Sequence, residues 1–364
     1  MLGIPAVAYK YIYLLLVLLL TWVAYQNYSK KDGLQKAEGS AVEAGSLLLL
    51  LFLIVFIGLR PLSGRYFVDM SNYQLHYRAF YEGVPFHFNP NAENYLFDNL
   101  FAWWGSVRLG CTSFFLFIAT VYFLSAYLGI RRLFPRDQWA AYLVFLAAFS
   151  TFSYGTNGIK AGAAASLFVW AMGYRDNLKV CIPLILLSWG FHHSMQLPVY
   201  AFVLTLIFKN PKWYFYGWVA CFFLAFAHVS FFANLFASMT DESGAGYIAG
   251  GGDDGTKGGF RIDFILYSSM PVLVGFWVIF KKRIQVSSLY KSLLNLYLCA
   301  NGVWMLCMYA NFTNRIAYLS WFLYPVVLIY PFLNEDLGVN RFRQFSRVML
   351  YHLGFTLFMS FIYY

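Results

Sequence analysis

Residues 180–208 read VCIPLILLSWGFHHSMQLPVYAFVLTLIF, a long, largely apolar run whose only ionisable groups, a cysteine thiol and a tyrosine aside, are two adjacent histidines near its middle. As one helix the run would extend about 43 Å. That exceeds the ~30 Å hydrocarbon core of a bilayer. Pro183, Pro198 and the triplet His192-His193-Ser194 interrupt its apolar character. The reading adopted is therefore a helical segment that breaks at the histidine pair and turns back.

Charge parity along the chain supports the break. Lysine and arginine gather in the cytoplasmic connections of a membrane protein. With a turn at the histidines, six basic clusters share one side: Lys30/Lys31/Lys36, Arg131/Arg132/Arg136, Arg175/Lys179, Lys209/Lys212, Lys281/Lys282/Arg283/Lys291 and Arg341/Arg343/Arg347. These hold 17 of the 26 basic residues. Read as a single crossing, the run would send the last three clusters to the opposite face.

The remaining apolar runs fall at about 10–26, 44–60, 111–130, 138–156, 158–174, 213–232, 263–280, 289–309, 316–333 and 345–363. Of 364 residues, 60% are hydrophobic and only 12% charged, which excludes an ordinary soluble domain. The runs approach the ~20 residues that cross a bilayer as helix and lack the alternation of barrel strands. The expected fold is an all-α integral membrane protein of about 11–12 transmembrane or half-membrane helices. It forms a single polytopic domain, 1–364, with both termini outside and the first run retained as a span. The net charge of +10 sits in short connections between spans, so it reads as a topology signal and an attraction to lipid headgroups, with no role for nucleic acid. Five cysteines show no CxxC or Cys/His spacing; neither disulfide, metal nor cofactor is called for.

On this topology the outer face receives two long connections. Residues 61–110 carry the mixed apolar and aromatic stretch Tyr95, Leu96, Phe97, Leu100, Phe101, Trp103, Trp104, which suits an interfacial or re-entrant helix over an extracytoplasmic cavity. Residues 233–262 are Gly-rich and expected to be a mobile outer loop.

The candidate functional residues lie at the outer ends of the runs. Asp69 and Tyr73 are four apart, hence on one face of a helical turn, with Arg65 just before them and Glu93 and Tyr95 following in "NAENYL". Lys160, in "YGTNGIKAGAAASL", opens a small-residue helix whose free N–H groups and dipole favour an anion. His192 and His193 titrate near neutral pH, so either can act as acid or base. They do not form HExxH, and adjacent rings on a helix diverge, so no zinc site is expected. Arg315, beside Asn314 in "NFTNRIAYLSWFLYP", offers a bidentate fork for phosphate oxygens.

In this order, "VDMSNY", "ENYL", "GIKAGAAASL", "FHHSMQLPV" and "NRIAYLSWFLYP" resemble the EpsG family, the Wzy-like polymerases of bacterial exopolysaccharide, capsule and O-antigen biosynthesis. The similarity runs from about 60 to 330, with one departure: the family usually carries Arg where Lys160 stands. The resemblance implies a multi-pass enzyme of the bacterial cytoplasmic (inner) membrane that joins undecaprenyl-pyrophosphate-linked repeat units at the periplasmic or exterior face. It implies no cofactor, no metal and no nucleotide sugar. His192 or His193 would then be the base and Asp69 or Glu93 its orienter or rival. Arg315, Lys160 and Arg65 would hold pyrophosphate, and Tyr73, Tyr95 and Asn314 would contact substrate. Its partners would be the lipid-linked glycan donor and acceptor, the bilayer, and a chain-length regulator or flippase of the same pathway. Two other classes stay open to the residues alone: a flippase, which needs a polar route reaching both faces, and a membrane O-acyltransferase, whose polar channel extends to the cytoplasm.

Overall fold

A computed structural model describes residues 2–30, 40–229, 231, 259–310 and 313–363, with the side chains of 40–43 and 363 left aside. Most of the Gly-rich stretch 233–262 lies outside the described residues. The only regular structure among those described is helical, with no strand, so the chain is an all-α membrane protein.

In chain order the helices are α1 Ala8–Ser29, α2 Ser40–Gly58, α3 Val68–Tyr81, α4 Tyr95–Ser106, α5 Cys111–Leu133, α6 Gln138–Leu146, α7 Phe149–Thr156, α8 Ile159–Met172 and α9 Leu178–Phe191. They continue with α10 Gln196–Ile207, α11 Pro211–Phe226, α12 Ile262–Phe276, α13 Ser288–Leu306, α14 Thr313–Trp321, α15 Tyr324–Asn334 and α16 Arg341–Tyr363. Five segments are long and apolar enough to cross a membrane: 8–29, 111–133, 262–281, 313–334 and 341–362. Others are short apolar helices, among them α8, α9 and the stretch 193–207. The long run 180–208 is interrupted where the sequence predicts: His192 is extended (φ −151°, ψ 120°) and His193–Met195 form a single 3₁₀ turn.

The described residues divide into two compact units, 1–192 with 342–364, and 193–341. In the first unit, the run 138–156 is two helices rather than one, because Ala148 is extended (φ −69°, ψ 138°). Such a break frees carbonyls that the hydrocarbon core cannot solvate, so the protein must satisfy them itself. Three side chains do so: His352 Nε2 lies 3.0 Å from the Val144 carbonyl, the Thr151 hydroxyl donates to that of Phe145 (2.7 Å), and the Tyr13 hydroxyl to that of Leu146 (2.7 Å). His352 is thus part of the scaffold. Small residues permit close packing nearby. A Cβ on Gly162 would stand 2.5 Å from the Tyr154 carbonyl, and one on Gly129 would stand 2.8 Å from the Trp170 backbone. Hence α8 lies backbone-to-backbone against α7 and α5.

In the second unit, buried polar groups are paired between helices. The Trp321 indole donates to Ser268 (2.7 Å), the Tyr297 hydroxyl to the Ser268 carbonyl (2.8 Å), and Asn301 to Ser320 (3.0 Å). The Trp304 indole donates to Thr313, the first residue of α14, at 2.9 Å.

Candidate functional site

Two of the expected polar residues of the first unit, Tyr73 and Lys160, meet at one aromatic ring. Segment 61–110 folds into α3 and α4, held together where Gly105 meets Phe80 and Tyr77, and where the Tyr77 hydroxyl donates to the Leu109 carbonyl. Burial pushes the Tyr77 phenol up to about 12, so it stays a neutral donor at working pH. This packing buries Phe97 on α4. Around it stand the ring of Tyr73 from α3 (5.8 Å between centroids), the ammonium of Lys160 from α8 (5.7 Å to the centroid) and the ring of Phe191 from the end of α9 (6.3 Å). Gly190 of α9 brings its backbone against Leu96 of α4, which draws the end of α9 to this place.

Lys160 is half-buried and is the second residue of α8, where the first amide groups of the helix have no partner of their own within it. Among the described residues no carboxylate stands within ion-pair distance of its ammonium. An amine over an aromatic face beside a positive helix end is an arrangement that favours an arriving anion. Asp69 is half-buried in the first turn of α3, one turn before Tyr73. His192 follows Phe191 directly and is half-buried in the extended residue after α9.

The other expected residues have surroundings of their own. The Arg65 guanidinium is exposed and rests on the ring of Tyr66, 5.4 Å from its centroid. Tyr95 is exposed at the start of α4 and packs edge-on against Phe88. Glu93 is half-buried in the connection just before Asn94, whose own amide donates to Asp98 (3.1 Å). His193, Asn314 and Arg315 belong to the second unit. There the His193 Nε2 lies 3.0 Å from the Gln196 amide nitrogen; with that nitrogen donating, a neutral ring carries its proton on Nδ1. Asn314 and Arg315 are exposed in the first turn of α14, which the Trp304–Thr313 bond holds in place.

Two residues absent from the sequence expectations matter here. Gln196, one turn beyond His193, orients its ring. Arg60, just past the end of α2, is buried at 2% exposure, and its guanidinium donates to the carbonyls of Ile57 and Thr156, both at 2.6 Å. Those carbonyls end α2 and α7, where the helix dipole favours a cation. The rings of Phe67 and Phe115 flank it at 5.6 and 5.5 Å. Thr156 stands four residues before Lys160, so Arg60 braces the elbow from which α8 departs. Nothing in the local sequence separates Arg60 from the exposed Arg65.

Fold and site together define a multi-pass α-helical membrane protein with a cationic, aromatic cluster at helix ends. The chain belongs to the EpsG family, whose model matches residues 44–364 and so takes in every candidate site residue. Neither a curated protein nor a solved structure matches the chain. Membership of the family suggests a Wzy-like polysaccharide polymerase, a glycosyltransferase in the general sense.

Proposed function

We propose that this protein joins undecaprenyl-pyrophosphate-linked oligosaccharide repeat units by glycosyl transfer at the outer face of a bacterial cytoplasmic membrane. The observation that carries the reading is Lys160: a half-buried ammonium with no acidic partner among the described residues, at a helix N-terminus and over an aromatic ring. A pyrophosphate supplies the missing negative charge, and the family match supplies the context in which a lipid-linked pyrophosphate is the leaving group.

The acceptor hydroxyl of one repeat unit attacks the anomeric carbon of the growing glycan. A carbon–oxygen bond forms there while the bond to pyrophosphate breaks, and the leaving group takes the electron pair. The hydroxyl proton passes to a base, His192 or His193 in this reading, with Asp69 or Glu93 as orienter or rival. Lys160, Arg315 and Arg65 hold the departing pyrophosphate, whose charge rises as the bond breaks. Tyr73, Tyr95 and Asn314 contact the sugar. Activation resides in the lipid pyrophosphate, so the step as written consumes no nucleotide sugar and calls for no metal ion.

The test is polymer length in a strain that depends on this protein. The variants H192A, H193A, K160A and R315A should each reach the membrane in normal amount yet leave single lipid-linked repeats. Long polymer from all four would overturn the reading, and mass spectrometry of the accumulated lipid-linked species would identify the repeat unit.

A further inference from the structure

Helices α10, α11 and α13 enclose a cleft of about 310 Å³ within the second unit. That volume lies at the lower end of the range that holds small ligands. Its walls are almost wholly apolar, with Phe208, Trp213, Trp218 and Leu298 prominent among them. The walls are also fixed. The Trp218 indole donates to Asn301 (2.8 Å), and the Tyr214 hydroxyl ties down the α10–α11 connection through the Phe208 carbonyl (2.8 Å). Gly217 lines the cleft, and a Cβ there would meet no atom within 4 Å, so the space reaches the backbone of α11.

One end of this cleft is cationic. Lys209 and Lys212 are exposed in and just after the α10–α11 connection, next in sequence to the lining residues Phe208 and Trp213. Asn295 of α13 donates to the Lys209 carbonyl (3.2 Å) and so fixes the backbone at this end; the Glu335 carboxylate at the start of α13 is engaged by Ser287. The N-terminus of α11, opened by Pro211, adds the positive end of its dipole. Residues 204–218 and 288–303 contain no acidic side chain. An apolar slot with ammonium groups at one end complements a molecule with a hydrocarbon chain and an anionic head.

We propose that the cleft holds one acyl chain of an anionic phospholipid, with its phosphate at Lys209 and Lys212. By the charge parity of the connections this is the leaflet facing the cell interior. The lipid-linked glycan of the proposed reaction sits at the other face, so this site is separate from that reading and stands whether or not the polymerase reading does.

The test uses the full-length protein in detergent and native mass spectrometry with phosphatidylglycerol, phosphatidylcholine and undecaprenyl phosphate as probes. One phosphatidylglycerol should be retained with roughly thirtyfold preference over phosphatidylcholine, the scale that two lysines at a lipid surface supply. Adding it should slow alkylation of Cys221 and Cys299, which line the cleft, by a lipophilic maleimide. Both effects should vanish in G217F, which fills the slot, and the preference alone in the surface double variant K209Q/K212Q, which leaves the packing intact. Equal retention of the two phospholipids, unchanged binding to G217F that unfolds at the parent temperature, or preferred retention of undecaprenyl phosphate would each overturn the proposal.

Discussion

Arg60 and His352 show how a single side chain can hold an interrupted helix inside a bilayer. Arg60 binds the carbonyls that end α2 and α7, and His352 one freed where α6 breaks, bonds that hydrocarbon could not supply. Replacing Arg60 by Met removes two charge-assisted hydrogen bonds, each worth about 1.5–3 kcal/mol. The R60M protein should therefore melt well below the parent in detergent, and R60K, which keeps the charge without the fork, should fall between them. The function of the brace is read from the position of Lys160: in a K160C background, R60M should change the rate of maleimide labelling even at temperatures where the protein stays folded. For His352 the change to Phe keeps the volume and loses one bond, a cost of about 1–3 kcal/mol. H352F should lower the melting temperature while polymer length stays normal, because the residue lies with α6 and α16 and not with the Phe97 cluster.

At the level of elements, α3, α4, α8 and the end of α9 meet at the cluster, and the close approach of the short helices rests on particular glycines. A methyl group on Gly162 would press on the Tyr154 carbonyl at 2.5 Å. Since backbone cannot rotate away, G162A should destabilise by roughly 1–3 kcal/mol and shorten polymer by displacing the start of α8. Gly354 of α16 has nothing within 4 Å of its missing Cβ. There the same substitution should be neutral or stabilising, by up to about 1 kcal/mol, since it only reduces backbone freedom. Thermal unfolding of the pair separates packing from helix propensity. The break after α9 belongs to the same class of feature, and it was legible in advance because a largely apolar run of 29 residues exceeds one bilayer crossing. The split of 138–156 was not: no charge or proline marks it, and beside the run's own Thr151 it depends on Tyr13 and His352 arriving from elsewhere in the fold.

For the whole molecule the governing quantity is sidedness. Seventeen of 26 basic residues in six connections pin the interior face if the rule for positive charge holds along the chain. Single cysteines at the exposed positions Asn314 and Lys212 test this in intact cells. An impermeant maleimide should label N314C and spare K212C. The reverse pattern would place Arg315 at the cytoplasmic face and remove the proposed geometry, leaving the helices themselves unaffected.

Composition and the spacing of apolar runs by themselves determined the all-helical membrane class and the interruption at His192, since both follow from the length of helix that hydrocarbon can cover. They also brought Asp69, Tyr73, Lys160 and the histidines forward as candidates, because polar groups at the ends of apolar runs stand out locally. Only the tertiary structure decided that Tyr73, Lys160 and Phe191 share the ring of Phe97, that Arg65 points to solvent while Arg60 lies buried, and that His352 serves the scaffold. The reason is physical: whether a cation solvates, caps a helix or waits for an anion depends on which carbonyls, rings and carboxylates other segments bring within a few ångströms of it, and local sequence does not contain that information.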